Sequence, residues 1–137
     1  ICDGFHIHAA VIRTTFKVMG DDRVVVVSDS LMAAGMPQGT VCSLGGQEVV
    51  VKDGRAQLMN GTIAGSVVNI LEEIRRLISF GIPEESAIKC STINPAKATR
   101  MDDLVGSISV GKYADLLVLN EDYTPAMVYR DGKPQRI

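Results

Sequence analysis

A carboxylate follows an uninterrupted apolar run near the start of the chain. Val24 to Val27 are four successive valines, which predicts a strand buried on both faces, as in a parallel sheet. Asp29 follows this run, between Ser28 and Ser30. Reactive groups in parallel α/β folds gather at the carboxyl ends of strands, so the position favours Asp29 as a catalytic acid or base. The alternative is an Asx turn or a helix cap, and the position alone does not decide between the two.

The two histidines of the chain form a His-x-His pair, His6 and His8. The residues from Ile1 to His8 alternate like a strand, which predicts that both imidazoles lie on one face. Such a pair can bind a metal ion, but a catalytic metal site needs about three protein ligands. Cys2 is the only cysteine near the pair. The competing interpretations are a hydrogen bond from His6 to a substrate and a structural role for His8.

A loop of small residues, from Gly61 to Ser66, leads into an amphipathic segment. Free backbone N–H groups and the helix dipole at such a junction suit polar or anionic ligand groups. The loop lacks the Gly-Lys-Ser/Thr ending of a phosphate-binding P-loop. A tight turn is therefore the alternative interpretation.

The elements that must position these residues begin with a strand, a helix and a strand. A helix from Ala9 to Gly20 joins the two predicted strands into one βαβ unit. The apolar spacing from Ser66 to Phe80 predicts a second helix, with Ser66 as its N-cap. Shorter helices are predicted at 83–90 and 95–101.

Short β segments are predicted on both sides of these helices. The first group covers 40–44, 47–52 and 55–59, with turns at Gly45-Gly46 and Asp53-Gly54. The second group covers 106–110, 114–119 and 126–130. The change from helices to short strands predicts a boundary near Asp103, between residues 1–103 and 104–137.

Composition excludes several classes of function. The net charge is -2 and the basic residues are scattered, which argues against a nucleic-acid surface. Cys2, Cys42 and Cys90 are odd in number and widely spaced, so we expect free thiols. No run approaches the roughly 18 apolar residues of a membrane span and no leader opens the chain, so we expect a cytoplasmic location. Because the chain starts without Met and in a strand-like pattern, we expect it to be part of a longer polypeptide.

Five phrases of the sequence occur in the order and spacing of one enzyme family. They are Asp3-Gly4-Phe5-His6; Val27-Ser28-Asp29-Ser30 followed by Ala33-Ala34-Gly35; Asn60-Gly61-Thr62-Ile63-Ala64-Gly65-Ser66; Asn94-Pro95-Ala96-Lys97-Ala98; and Gly106-Ser107-Ile108 through Gly111-Lys112-Tyr113-Ala114-Asp115-Leu116. The ordered set resembles the N-acetylglucosamine-6-phosphate deacetylases of the amidohydrolase superfamily and covers nearly all of the chain. The last two phrases are shared across amidohydrolases, so the first three indicate the deacetylases.

The resemblance implies an α/β fold with two parts. Residues 1–103 would be the last βα units of a (β/α)8 TIM barrel, with a β-hairpin excursion at about 40–59. Residues 104–137 would be C-terminal strands of a small β-sandwich domain. About 250 residues are typical of a complete barrel, so we expect this chain to hold only the C-terminal portion of one.

The resemblance also implies roles for particular residues. Asp29 would be the catalytic acid/base, which takes a proton from a metal-bound water and delivers it to the departing amine. The substrate-binding residues that it implies are Asp3, Gly4, Phe5, His6, Ile63, Ala64 and Gly65.

The family's metal ligands, a Glu and two His, lie upstream of the segment present here. The resemblance therefore implies a divalent metal, zinc or iron, in the parent enzyme and no metal site in this chain. The parent would hydrolyse the acetamide of N-acetylglucosamine 6-phosphate as a homodimer, without nucleic-acid or membrane partners, and this chain alone would be inactive. The alternatives are another metal-dependent amidohydrolase, such as a cyclic-amide hydrolase, and a non-catalytic α/β module that associates with itself.

Overall fold

A computed structural model describes residues 1–136 of the chain, and these contain four α-helices and two antiparallel sheets. The helices are α1 (Ala9–Met19), α2 (Ile70–Ser79), α3 (Glu84–Ser91) and α4 (Ile93–Ala98), with a 3-10 turn at Asp21–Arg23. The first sheet has the order β1 (Val41–Leu44), β2 (Gln47–Lys52) and β3 (Arg55–Leu58), and the second β4 (Leu116–Leu119), β5 (Pro125–Arg130) and β6 (Lys133–Gln135). The described residues thus combine helices and sheets, which is the coarse part of the predicted fold class. No helix within residues 1–136 is long and apolar enough to span a bilayer.

The predicted β segments between 40 and 59 form the first sheet as two consecutive hairpins. The turn from β2 to β3 places Asp53 and Gly54 at φ 52° and 72°, which suits an Asp-Gly hairpin turn. Val49, Val51 and Ala56 are buried on this sheet. Turn chemistry and alternation were therefore sufficient to predict this part of the fold.

The main core lies where α1, α2 and α3 meet the extended segment after α1. Its buried members are Ile12, Val26, Ile74, Leu77, Ile82, Ala87 and Cys90. The apolar stripe of α2 faces this core, as predicted. The predicted start of α2 at Ser66 is wrong, because the backbone N–H and C=O of Ser66 are bonded to Asp29 and Leu31, and Asn69 caps the helix instead.

The predicted strand at Val24–Val27 is extended but is not a strand in this structure. Val26 is 4% exposed, while Val25 and Val27 are 40% and 51% exposed, so the described residues bury this segment on one face only. The N–H of Val26 donates to the carbonyl of Cys90, at the end of α3, rather than to a neighbouring strand. A strand requires a paired neighbour, and within residues 1–136 none of Val24–Val27 is paired; the nearest parallel bridge joins Ser30 to Ser66.

The predicted strand at the start of the chain is replaced by a turn. Asp3 accepts hydrogen bonds from the N–H groups of Phe5 and His6 through its Oδ1 atom, both at 2.9 Å, which closes an Asx turn. Because the backbone bends here, the alternation that predicted His6 and His8 on one strand face does not apply. His8 instead caps α1, its Nδ1 accepting from the N–H of Ala10 at 3.2 Å.

The second sheet confirms the predicted strands at 114–119 and 126–130, with β6 added after the Asp131-Gly132 turn. The predicted strand at 106–110 has no pairing partner in the described residues. The predicted helix at 95–101 begins earlier, at Ile93, because a proline in the first turn needs no N–H donor. The predicted domain boundary near Asp103 stays a prediction, and Ile137, the last residue of its second segment, lies outside the described residues.

Candidate functional site

The turn at Asp3 to His6 is tied together by one buried carboxylate. The Asp3 side chain is 3% exposed, and its Oδ2 atom lies 2.7 Å from Nδ1 of His6, whose side chain is 21% exposed. Burial alone would raise the pKa of Asp3, but the backbone N–H groups of His6 and Phe5 and the His6 ring together lower it below its usual value. Asp3 is therefore an ionised acceptor whose two oxygens are both engaged.

Two charged side chains of α2, Arg76 and Glu73, contact this turn and the residue before it. Arg76 donates from Nη1 to the backbone carbonyl of Asp3 at 2.5 Å. Glu73 is fully buried and accepts from the N–H of Cys2 at 2.6 Å through Oε2, while its Oε1 atom has no hydrogen-bond partner in the described residues. Burial raises the pKa of Glu73 to about 7, assisted by the charge of Asp3 and opposed by the Cys2 hydrogen bond.

Two arginines approach the Phe5 ring. The guanidinium carbons of Arg55 and Arg76 lie 4.3 Å and 5.1 Å from its centroid, within cation–π range. Gly4 has φ 79°, and a Cβ at this position would lie 2.8 Å from the Phe80 ring. Only glycine therefore fits at position 4, where the backbone lies against the Phe80 ring.

Asp29 occupies a different part of the structure, with a left-handed backbone at φ 50°. Its carbonyl accepts from the N–H of Ser66 at 3.2 Å, and the carbonyl of Ser66 accepts from the N–H of Leu31 at 2.9 Å. The Asp29 side chain is exposed, and within residues 1–136 it makes no hydrogen bond or ion pair. A left-handed non-glycine residue is uncommon outside turns and functional sites. The carboxylate is therefore free to meet a ligand.

The loop at 61–66 links the first sheet to the Asp29 segment through backbone hydrogen bonds. Ile63 bridges to Gln57, and the N–H of Ala64 donates to Ala56 at 2.9 Å. Gly65 has φ 100°, and a Cβ there would lie 2.9 Å from Leu31. The N–H groups of Ala64 and Ser66 are thus occupied by protein carbonyls, so they are not free to bind an anion. The loop holds the backbone of Asp29 in place, and the ligand contacts predicted for Ile63, Ala64 and Gly65 stay predictions.

The structure thus forms two groups from the predicted site residues. One is the Asp3 to His6 turn, and the other joins Asp29 to the 63–66 loop. Within residues 1–136 no hydrogen bond or ion pair connects the two groups. A shallow depression of about 310 Å³ is lined by Arg76 and Val68 among others, and none of the predicted site residues lines it. The roles predicted for these residues stay predictions.

Sequence reasoning missed Glu73 and the two arginines. Glu73 lies three residues after Ile70 and four before Leu77, so the helical spacing alone places it on the buried face of α2. The arginine positions had no comparable signal, because Arg55 and Arg76 are 50 and 71 residues from Phe5 in the sequence and approach it only on folding. Among residues 1–136 no group of three His, Cys, Asp or Glu side chains is placed to hold a metal ion.

The sequence of this chain is similar to that of a known enzyme family. Residues 6–134 match the model of the Amidohydrolase family. The N-acetylglucosamine-6-phosphate deacetylase of Haemophilus influenzae is 35% identical over 135 residues, which are 97% of this chain and 35% of that protein. This chain therefore spans about a third of the length of that relative.

Solved structures give the same result. The N-acetylglucosamine-6-phosphate deacetylase of Pasteurella multocida superposes with a TM-score of 0.92 at 31% identity, over 98% of this chain and 35% of its own. A variant of the Mycobacterium smegmatis deacetylase in complex with N-acetyl-D-glucosamine-6-phosphate superposes with a TM-score of 0.87 at 29% identity, over 97% and 36%. These likenesses confirm the resemblance that the ordered phrases indicated.

Proposed function

The chain belongs to the amidohydrolase family, and we propose that the polypeptide containing it hydrolyses the acetamide of N-acetylglucosamine 6-phosphate to glucosamine 6-phosphate and acetate. The observation that carries the proposal is the match of nearly the whole chain, in backbone and sequence, to deacetylases of this substrate. Because the chain spans about a third of those relatives, the activity is proposed for a longer polypeptide, and the isolated chain is expected to be inactive.

Asp29 carries the proton transfers in this proposal. Water attacks the acetamide carbonyl carbon while the Asp29 carboxylate accepts its proton. The C–N bond then breaks, and the same proton passes to the amine nitrogen, which leaves as glucosamine 6-phosphate. The acyl carbon keeps the water oxygen and its second hydrogen as acetic acid, which ionises to acetate in solution. A free, exposed carboxylate on a backbone held by the 61–66 loop supports this role, because no competing partner has to be displaced.

The substrate contacts proposed for the remaining residues follow the two groups of the site. The Asp3 to His6 turn would face the sugar phosphate through His6, with Gly4 and Phe5 beside it. Ile63, Ala64 and Gly65 would contact the sugar ring. The contacts of Phe5 with two arginines support a rigid binding surface here.

The family implies metal-dependent chemistry in general. The described residues do not fit a metal by themselves, since no three ligating side chains converge within residues 1–136. We propose that zinc or iron is bound by other residues of the longer polypeptide.

We further propose that residues 1–103 complete a (β/α)8 barrel and residues 104–137 a small β-sandwich with other parts of the polypeptide. Val25 and Val27 are exposed on one side, as are Leu117, Val118 and Met127 on the second sheet. Apolar side chains at these positions would be covered by neighbouring strands in such a fold. A homodimer is proposed for the longer polypeptide and can be tested by light scattering.

The test is acetate release from N-acetylglucosamine 6-phosphate by the longer polypeptide and its Asp29→Asn variant. We expect kcat to fall at least about 100-fold, the usual lower range for loss of a general acid/base. Asp53→Asn is the matched control, because Asp53 is also exposed and left-handed but lies in the β2–β3 turn. Undiminished turnover by Asp29→Asn, or hydrolysis of cyclic amides in place of the amino sugar, would contradict the proposal.

A further inference from the structure

We propose that α2 is the spacer that sets the separation between the two groups of the site, and that Arg76 is the positioning residue that attaches the Asp3 to His6 turn to it. This inference rests on the proposed function, in which the turn contacts the amino-sugar phosphate and Asp29 transfers the protons. It gives a role in the reaction to a residue that the sequence did not single out.

The start of α2 is attached to the Asp29 segment through Val68. The Ser30 hydroxyl donates to the carbonyl of Val68, and the N–H of Val68 donates to the Ser66 hydroxyl at 3.1 Å. Ser66 also donates its own N–H to the carbonyl of Asp29 at 3.2 Å. Val68 is 7% exposed and is followed by Asn69, the N-cap of α2. Two serine hydroxyls therefore bind both backbone polar groups of the residue that precedes the cap.

The middle of α2 is attached to the other group. Nη1 of Arg76 donates to the carbonyl of Asp3 at 2.5 Å, and the guanidinium carbon lies 5.1 Å from the centroid of the Phe5 ring. Glu73 accepts the N–H of Cys2 at 2.6 Å. Residues three apart lie on the same face of a helix, so one face of α2 contacts the turn and the residue before it.

The helix between these attachments is held by the main core. Ile74 and Leu77 are 8% and 0% exposed there, so α2 cannot slide or rotate without disturbing that packing. From Ile70 to Arg76 the helix covers about 9 Å along its axis. The position of the turn relative to Asp29 is therefore coupled to α2. Displacing a reacting group by about 1 Å can cost about 100-fold in rate, so this separation matters for proton transfer.

The neighbouring arginine of α2 provides a matched control. Arg75 is paired with Glu72, as Arg76 is, and it also donates to a backbone carbonyl. Its acceptor is the carbonyl of Tyr123, at 2.6 Å from Nη2, in the turn before β5. Within residues 1–136 Arg75 makes no hydrogen bond or ion pair to either group of the site. Arg75→Met and Arg76→Met thus remove similar interactions from one helix, and only the second interaction reaches the site.

The first measurement is amide hydrogen exchange of the turn in the longer polypeptide. The N–H groups of Phe5 and His6 donate to Oδ1 of Asp3, so their exchange reports how often the turn opens. We expect Arg76→Met to accelerate this exchange by about 10- to 100-fold, the effect of losing a hydrogen bond from a charged donor. Arg75→Met should leave it unchanged. Unchanged exchange of the turn in Arg76→Met would overturn the inference.

The second measurement is acetate release from N-acetylglucosamine 6-phosphate by the same proteins. Arg76→Met should lower kcat/KM by about 10- to 100-fold with a raised KM, because the binding turn moves. Arg76→Lys keeps a charged donor and should recover part of the loss. Ser30→Ala should instead lower kcat by about 2- to 10-fold at nearly constant KM, because it loosens the Asp29 segment by one neutral hydrogen bond.

Arg75→Met should leave KM and kcat nearly unchanged, although it removes a similar interaction. Equal losses of kcat/KM in Arg75→Met and Arg76→Met would show a general stabilising role of α2 and would overturn the positioning role. A wild type without deacetylase activity would contradict the proposed function. In that case the exchange measurement still decides whether Arg76 holds the turn.

Discussion

Replacing the buried Glu73 by Gln should change how the stability of this chain depends on pH. Glu73 lies on the inner face of α2, accepts one hydrogen bond from Cys2, and has a second oxygen without a partner in the described residues. An unpartnered oxygen on a buried carboxylate is costly when the group is ionised. Glutamine retains an acceptor for the Cys2 N–H and stays neutral at every pH.

The magnitude follows from the pKa of Glu73, which burial raises from its ordinary 4.5 to about 7 in the folded chain. The difference of about 2.5 pKa units corresponds to about 3 kcal/mol. A carboxyl whose folded pKa is raised contributes stability below pH 4.5, and this contribution is lost as the pH rises through about 7. The wild type should therefore lose about 3 kcal/mol relative to Glu73→Gln between pH 4 and 8.

The assay is urea unfolding of both proteins at half-unit steps of pH. The difference between their free energies of unfolding removes the contributions of all other titrating groups, such as Asp3. Glu72→Gln is the matched control, because Glu72 is on the same helix but 37% exposed and paired with Arg75. We expect the control difference to stay below about 1 kcal/mol. A difference between wild type and Glu73→Gln that does not vary with pH would refute the reasoning.

Two further substitutions test the packing of the chain. Gly106→Ala should destabilise the chain more than Gly61→Ala, by about 1–3 kcal/mol in urea unfolding. Both glycines have positive φ, but only at Gly106 would a Cβ lie 2.7 Å from the side chain of Ala96. Equal effects of the two substitutions would contradict the steric argument. Asn94→Ala should reduce the free energy of unfolding by about 2 kcal/mol, because its Nδ2 donates to two carbonyls, including that of Val24. Asn94→Asp keeps the volume but not the donor, so it should be no more stable than Asn94→Ala; a nearly wild-type Asn94→Asp would show that these hydrogen bonds contribute little.

Local patterns in the sequence were sufficient for elements whose stability is local. The Asp53-Gly54 turn and the alternation beside it predict the β2–β3 hairpin, since both strands are adjacent in the chain and the turn sets their register. The apolar spacing of α2 likewise predicts which face is buried. The same spacing predicts that Glu73 lies on that face. Only the folded structure shows that Glu73 accepts one hydrogen bond, from Cys2, and that its other oxygen has no partner within residues 1–136.

The sequence also singled out Asp29 and the ordered phrases of the family, because both depend on residue identity and spacing alone. It could not decide whether Val24–Val27 is a strand, since strand formation depends on a neighbour that the pattern does not contain. It also did not show that Asp3 reaches Nδ1 of His6. That contact depends on the backbone bending where alternation predicted an extended strand. Side-chain capture of backbone N–H groups decided the conformation there, and only the folded structure shows which of the two competing conformations is more stable.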